Sequence, residues 1–265
     1  MHEAMDEAMR GSAHDASDAP AVRDERDAAS LARQLDLPRV AWFASLPSTM
    51  DAAHLLAEEG APSGTLILAD EQTAGRGRGG KSWSSAPGRG VWCTLLERPL
   101  DAEAVEALSL RVGLRLARAL DRFAPSAVQL KWPNDLMLPA GKLGGILVEA
   151  RWREGRVEWV AVGIGINLSA PEVPGGAALR PGTRRDEVLA ELVPAVRAAA
   201  AARGPLSPAE LSAYAARDWA RGRLVRSPQR GTVAGISPAG AVLIETPGGT
   251  IACASGSLVL EEDSP

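Results

Sequence analysis

The residues best suited to chemistry in this chain form a cationic, glycine-rich run, Gly75-Arg76-Gly77-Arg78-Gly79-Gly80-Lys81-Ser82, followed by Trp83. Glycines let a backbone approach a ligand closely, and Arg76, Arg78 and Lys81 place positive charge at near-alternate positions, so the run suits an anion. The same residues satisfy two phosphate-binding patterns: G-x-x-x-x-G-K-S through Gly75, Gly80, Lys81 and Ser82, and G-x-G-x-x-G through Gly75, Gly77 and Gly80. Both patterns work only where a helix starts at the loop, because its first amides and its dipole hold the phosphates. Pro87, Gly88 and Gly90 follow closely here and rule out a helix of useful length. The run is therefore read as an anion clamp in its own right, with a solvated basic loop as the plain alternative.

Composition sharpens the choice of residues. The chain has 26 Arg but only three Lys (Lys81, Lys131, Lys142) and two Asn (Asn134, Asn167). A lysine kept in so arginine-rich a chain suggests a place where a compact ammonium is needed and a planar guanidinium does not fit. The histidines are His2, His14 and His54, and Cys93 and Cys253 lack metal-ligand spacing, which argues against a histidine triad or a zinc site. The net charge is −4, and much of the negative charge lies within residues 1–29. The remainder is close to neutral, without the basic excess expected of a nucleic-acid binder. No apolar run approaches the roughly 18–20 residues of a membrane span, and residues 1–30 lack a signal-peptide core, so a cytoplasmic protein off the membrane is expected.

The elements that must position these residues follow from periodicity. Residues 1–27 are polar and acidic and read as a disordered tail, with a short helix over 28–36. A strand over 39–45, a helix over 49–59 capped at Ser48-Thr49, and a strand over 64–72 lead into a long loop over 73–90. Then come a strand at 91–97, a helix at 102–123, and strands at 128–132, 142–152 and 157–168, with Glu154-Gly155 as the turn between the last two. Helices near 184–203 and 207–221 precede short strands from 223 onward. The class is α+β, a mixed, mostly antiparallel sheet with flanking helices, plus a small β module that packs on the main domain. The expected division is an acidic tail at 1–35, a main domain at 36–221 and the β module at 222–265.

Taken in order, Ser48-Thr49, Gln72, GRGRGGKSW at 75–83, KWPNDL at 131–136, KLGGILVE at 142–149 and GIGINL at 163–168 resemble the catalytic domain of biotin–protein ligases. The resemblance runs from about residue 40 to 170. It implies a fold of the class II aminoacyl-tRNA synthetase/biotin ligase type with a C-terminal SH3-like β-barrel, in a form lacking the N-terminal DNA-binding domain. It also implies a reaction: ATP and biotin, with Mg²⁺, give biotinyl-5'-AMP, and biotin then passes to a lysine of a biotin carboxyl carrier protein of the acetyl-CoA carboxylase type.

By the same resemblance Lys142 and Arg78 are the catalytic residues, with Lys142 touching both the biotin carboxyl group and the α-phosphate. Ser48, Thr49, Gln72, Arg76, Gly77, Arg78, Lys142, Gly144 and Gly145 match biotin-binding positions. Arg78, Lys81, Trp83, Asn134, Asp135, Lys142 and Asn167 match adenylate positions, Trp83 as a stacking surface for adenine and Asp135 as a contact for Mg²⁺. Two departures stand out: Lys81 where Arg is more frequent, and Met50 where Asn is frequent. A lipoate–protein ligase is the enzyme alternative and a biotin-sensing repressor the DNA-binding one. The short acidic N-terminal stretch argues against nucleic acid as a partner, and homodimer formation is left open.

Overall fold

The computed structural model describes residues 21–22, 24–98 and 101–261. Its strands are β1 (Ala21–Val22), β2 (Arg39–Leu46), β3 (Thr65–Gln72), β4 (Gly90–Glu97), β5 (Gln129–Lys131), β6 (Asp135–Leu138), β7 (Gly141–Arg153) and β8 (Arg156–Asn167). They form one eight-stranded sheet in the order β1-β2-β3-β4-β8-β7-β6-β5. Only β2 and β3 pair in parallel, because the helix α2 (Thr49–Glu58) carries the chain from the end of one back to the start of the other. The other pairings are antiparallel, as the sequence pattern predicts. Glu154 and Gly155 both adopt positive φ, 50° and 75°, and turn β7 into β8 as expected.

The sheet has two unlike faces. On one, Val91, Cys93 and Leu95 of β4 and Val160, Val162 and Ile164 of β8 meet the long helices in a single core. Those helices are α4 (Leu108–Leu120) and α5 (Arg185–Ala200). Leu108, Val112, Leu116 and Leu120 of α4 are almost wholly buried there, each burial worth about 1.5–3 kcal/mol. On the other face α2 packs in small patches, Met50 and Ala53 on Ile67 and Ala161, and Ala57 beside Leu96 and Trp159. The rest of that face is left to the loops, and it carries the candidate site.

A second, five-stranded sheet closes the chain. It comprises β9 (Leu224–Ser227), β10 (Gly231–Ile236), β11 (Val242–Thr246), β12 (Gly249–Cys253) and β13 (Val259–Leu260), in the order β12-β11-β10-β9-β13. Val225, Val233, Val242, Ile244, Leu258 and Leu260 join the main core rather than forming one of their own. Trp132 Nε1 donates to Gly240 O at 2.9 Å across the junction.

Several expected elements differ in extent. The tail read over 1–35 lies outside the described residues up to residue 20, but its end is ordered: α1 (Glu25–Gln34) is capped by Asp24 and buries Leu31. This is the short helix expected over 28–36, begun three residues earlier. The helix expected over 102–123 is two, α3 (Ala102–Glu106) and α4, broken at Ala107, against which Gly240 of the second sheet is packed. The helix expected over 207–221 is only α6 (Pro208–Ala215). Beyond it, Arg217 O accepts from Leu130 N and Trp219 N donates to Leu130 O, so the backbone is taken by the edge of the main sheet. Strand β6 was not anticipated, because Asn134 and Asp135 read as turn residues.

Candidate active site

The parallel pairing of β2 and β3 sets the first half of the site. Leu46 is in register with Gln72, so the residues that follow β2 arrive beside the end of β3. Ser48 caps α2 through its side chain, and Thr49 donates to Gln72 Oε1 from its backbone N at 2.9 Å and from its hydroxyl at 3.0 Å. Thr94 of β4 donates to the Thr49 hydroxyl at 2.9 Å, while Gln72 Nε2 donates to Ser85 at 2.7 Å. Ser48, Thr49 and Thr94 are buried. Such polar groups are held in fixed orientation because leaving any of them unpaired would cost on the order of 1–3 kcal/mol.

Antiparallel hairpins set the second half. Asp135 of β6 is opposite Gly145 of β7, and Lys142 Nζ reaches Asp135 Oδ1 at 2.6 Å. Asn134 is tied to β7 by its amide donating to Ile146 O and by Ile146 N donating to its carbonyl. The glycine-rich run covers both halves. It folds back on itself, with Trp83 N donating to Gly75 O and Gly77 N to Lys81 O. A Cβ at Gly75 would lie 2.4 Å from the Trp83 carbonyl, so this tight return requires glycine there. Because these amides serve the loop's own carbonyls, and the one helical turn is the short Arg78–Gly80 segment, neither phosphate-loop pattern is realised.

Between these parts lies a cavity of about 240 Å³. Ser48, Thr49, Gln72, Arg76, Gly77, Arg78, Lys81, Trp83, Asn134, Asp135, Lys142 and Gly145 all line it, as do the remaining lysine, Lys131, and Met50. Its floor is bare backbone. A Cβ at Gly165 would fall 2.5 Å from Trp83 Nε1, and one at Gly145 3.5 Å from the same ring. Trp83 thus lies flat over the glycines, its N–H buried without an acceptor, with Lys142 Nζ 5.2 Å from its ring centre and Trp92 meeting it edge-on. Asp135 is the one carboxylate among the lining residues, against five lining cations, so the cavity favours an anion.

Three expected residues are placed differently. Arg76 is not a free cation: its Nη2 lies 3.0 Å from both Asp51 Oδ1 and Glu149 Oε2. Asn167 does not line the cavity, and its amide donates to Lys142 O and Ala177 O instead. Gly144 faces the other side of the sheet, where a Cβ would meet Ile166 and the Gly165 carbonyl. A pair of carboxylates takes Arg76, strand alternation turns Gly144, and Asn167, in phase with Gly163 and Gly165 at the end of β8, is held by two backbone carbonyls. Sequence reasoning also gave no role to Thr94, Asp51, His54 or Glu149, although Glu149 ends the KLGGILVE run. Only Asp51 and His54, three apart on one helix, gave a sign of acting together.

For a metal the fit is poor. Among the described residues no three His, Cys, Asp or Glu side chains are grouped to hold an ion, and Asp135 is already paired with Lys142. Cys93 is buried and Cys253 half-buried, both as free thiols. No helix among the described residues is long and apolar enough to cross a membrane.

Comparison with known proteins agrees with the resemblance read from the motifs. Residues 42–167 match the Biotin/lipoate A/B protein ligase family. Over 125 residues the chain is 42% identical to the bifunctional ligase/repressor BirA of Bacillus subtilis, covering 47% of this chain and 38% of that protein. It is 38% identical over 134 residues to the biotin–acetyl-CoA-carboxylase ligase of Paracoccus denitrificans, covering 50% and 55% of the two. The matched region therefore spans about half, or less, of the length of these relatives. The mixed α/β fold is like that of the biotin protein ligase from Aquifex aeolicus solved with biotin and ATP, with a TM-score of 0.69 and 26% identity over 85% of this chain and 99% of that one.

Proposed function

We propose that this chain, whose residues 42–167 match the Biotin/lipoate A/B protein ligase family, is a biotin–protein ligase. It joins biotin to ATP as biotinyl-5'-AMP, releasing pyrophosphate, and then transfers the biotinyl group to a lysine of a carrier protein. One observation carries this reading: a single cavity joins a hydrogen-bonding end, Ser48, Thr49, Gln72 and Thr94, to a cationic end, Arg78, Lys81 and Lys142. The first end suits a neutral polar ring such as the ureido group, and the second suits two anions that must meet.

In the first step a carboxylate oxygen attacks the α-phosphorus, and repulsion between the reactants adds to the barrier. Lys142 and Arg78, fixed at the cavity wall before reaction, offset the charge that grows on the phosphoryl oxygens. Lys81 adds a third, more exposed charge. Trp83 offers the adenine a flat surface beside Lys142, and Asn167 acts at one remove by holding the Lys142 carbonyl. In the second step the neutral amine of the carrier attacks the acyl carbon and AMP leaves, so no nucleophile from this chain is needed. The described residues build no magnesium cage of their own. Magnesium brought in on the nucleotide would supply further positive charge at the phosphates, and Asp135, once released from Lys142, would be the residue to contact it.

On this reading residues 36–221 are the catalytic unit, of the class II aminoacyl-tRNA synthetase type, and 222–265 an SH3-like module that closes one side of the cavity. The carrier is a biotin carboxyl carrier protein of acetyl-CoA carboxylase, and both reactions take place in the cytoplasm. The test is pyrophosphate release from ATP with purified protein, with biotin or lipoate supplied separately. Release with biotin, followed by transfer to a carrier domain, is the expected result. Release with lipoate alone would redirect the substrate assignment, and silence with both would overturn the function.

A further inference from the structure

Arg76 is gripped by residues to which the motifs assign no role, although Glu149 closes the KLGGILVE run. Asp51 and His54 lie one turn apart on α2, and Glu149 stands opposite them on β7. His54 Nε2 is 2.9 Å from Glu149 Oε2, the same oxygen that lies 3.0 Å from Arg76 Nη2. Behind the histidine, Trp159 of β8 donates its indole N–H to His54 Nδ1 at 3.1 Å. An indole nitrogen can only donate, so Nδ1 must present its lone pair. That leaves Nε2 to carry the ring proton and point it at Glu149. Trp159 is itself buried to 6% exposure, which fixes the start of the chain of contacts. The glutamate is therefore aimed by one neighbour and offered to another.

We propose that His54 and Glu149 are positioning residues: they hold Arg76, and with it the Gly75–Trp83 loop, over the cavity through a relay that begins at Trp159. This inference rests on the ligase reading for its effect on biotin, while the relay itself does not. The loop brings Arg78, Lys81 and Trp83 to the cavity, so loosening its first anchor lowers the fraction of molecules with a complete site. Apparent affinity falls with that fraction. The chemical groups stay unchanged, so kcat at saturating biotin changes little.

The measurement is steady-state pyrophosphate release for Glu149→Ala, His54→Ala and His54→Gln, alone and combined with Arg76→Ala. Because Arg76 is partly exposed and water screens its pairs, the KM for biotin should rise only roughly three- to tenfold for the two alanine variants, with kcat within about twofold. Glutamine can accept from Trp159 through its oxygen and donate to Glu149 through its nitrogen, so His54→Gln should restore KM. In the Arg76→Ala background the alanine variants should add nothing. Additive effects, or no rescue by glutamine, would overturn the relay and leave His54 a packing residue.

A second readout is independent of activity. Trypsin cleaves after Arg76 and Arg78, and fragment masses should show faster nicking there in Glu149→Ala than in wild type. If wild type releases no pyrophosphate with biotin, the ligase reading fails while the nicking rates still decide the relay. Equal nicking in an active enzyme would overturn the relay alone.

Discussion

Lys142 Nζ stands 2.6 Å from Asp135 Oδ1 across the β6–β7 hairpin, so an ammonium at the cavity is held by a carboxylate of the neighbouring strand. The pair orients the lysine without burying it: the side chains are 36% and 24% exposed. Half-solvated pairs of this kind contribute little to folding, about 0–1 kcal/mol. Lys142→Ala should therefore leave thermal unfolding nearly unchanged while cutting biotin-dependent pyrophosphate release by about 100-fold or more. Activity within threefold of wild type would remove Lys142 from the chemistry.

The glycine floor gives a contrast between two small substitutions. At Gly165 a methyl group would lie 2.5 Å from Trp83 Nε1 and 2.6 Å from Cε2, whereas at Gly145 the contacts begin at 3.5 Å, ordinary van der Waals range. Gly165→Ala should displace the indole, seen as altered tryptophan fluorescence and an increase in KM for ATP. Gly145→Ala should be mild in both respects. Equal effects would mean that the indole does not rest on β8.

On the opposite face of the sheet Arg111 is nearly fully buried, and it bonds Glu210 through Nε at 2.7 Å. Burial pushes the Glu210 carboxyl up, but hydrogen bonds from Arg111 and Ser207 outweigh it and hold it down to about 2 from an ordinary 4.5. A depressed carboxylate contributes stability that is complete above its unfolded value and lost as pH falls toward the folded one. Denaturant titrations should show wild type losing on the order of 2–3 kcal/mol between pH 5 and 2 from this group alone. Glu210→Ala should already lack that stability at pH 7, and its curve should meet that of wild type near pH 2. A constant difference between the two across this range would assign the effect to packing instead.

The two thiols should differ in reactivity. Burial pushes Cys93 up to about 12, with Arg185 opposing only weakly, and a thiol that stays protonated is a poor nucleophile. Cys253 lies half-buried on β12. Alkylation of the native protein at pH 8 should mark Cys253 alone, and denaturation should release the second equivalent. Early labelling of Cys93 would show that the β4 core opens readily.

Much of the main sheet was legible because its strands keep a two-residue rhythm and end at glycines or turn residues. Lys142, Asp135, Thr49 and Gln72 were legible for another reason: they sit at motif positions, and the fold sets β6 beside β7 and the start of α2 beside the end of β3. What could not be read was direction. Gly144 occupies a motif position, yet strand alternation turns it from the cavity, and Asn167, in phase with Gly163 and Gly165, is kept out by its own bonds to the Lys142 and Ala177 carbonyls. Arg76 reads as a cation for a ligand until Asp51 and Glu149, 25 residues before it and 73 after it, are brought beside it. Ala107 and Arg217 broke expected helices because other segments compete for those places, and no local pattern records such competition.

Arg78 donates to the Gly256 carbonyl of the second sheet, two residues after Arg76 is held by α2 and β7. A single short loop is therefore moored to both sheets at once. Ser257, Leu258 and Val259 complete the wall on the far side. The terminal sheet is then less an appendage than the second jaw of a clasp, and the glycine-rich run is its hinge pin. A change that shifts residues 224–260 by the width of one side chain would be felt at Arg78 as well as in the core that the second sheet shares.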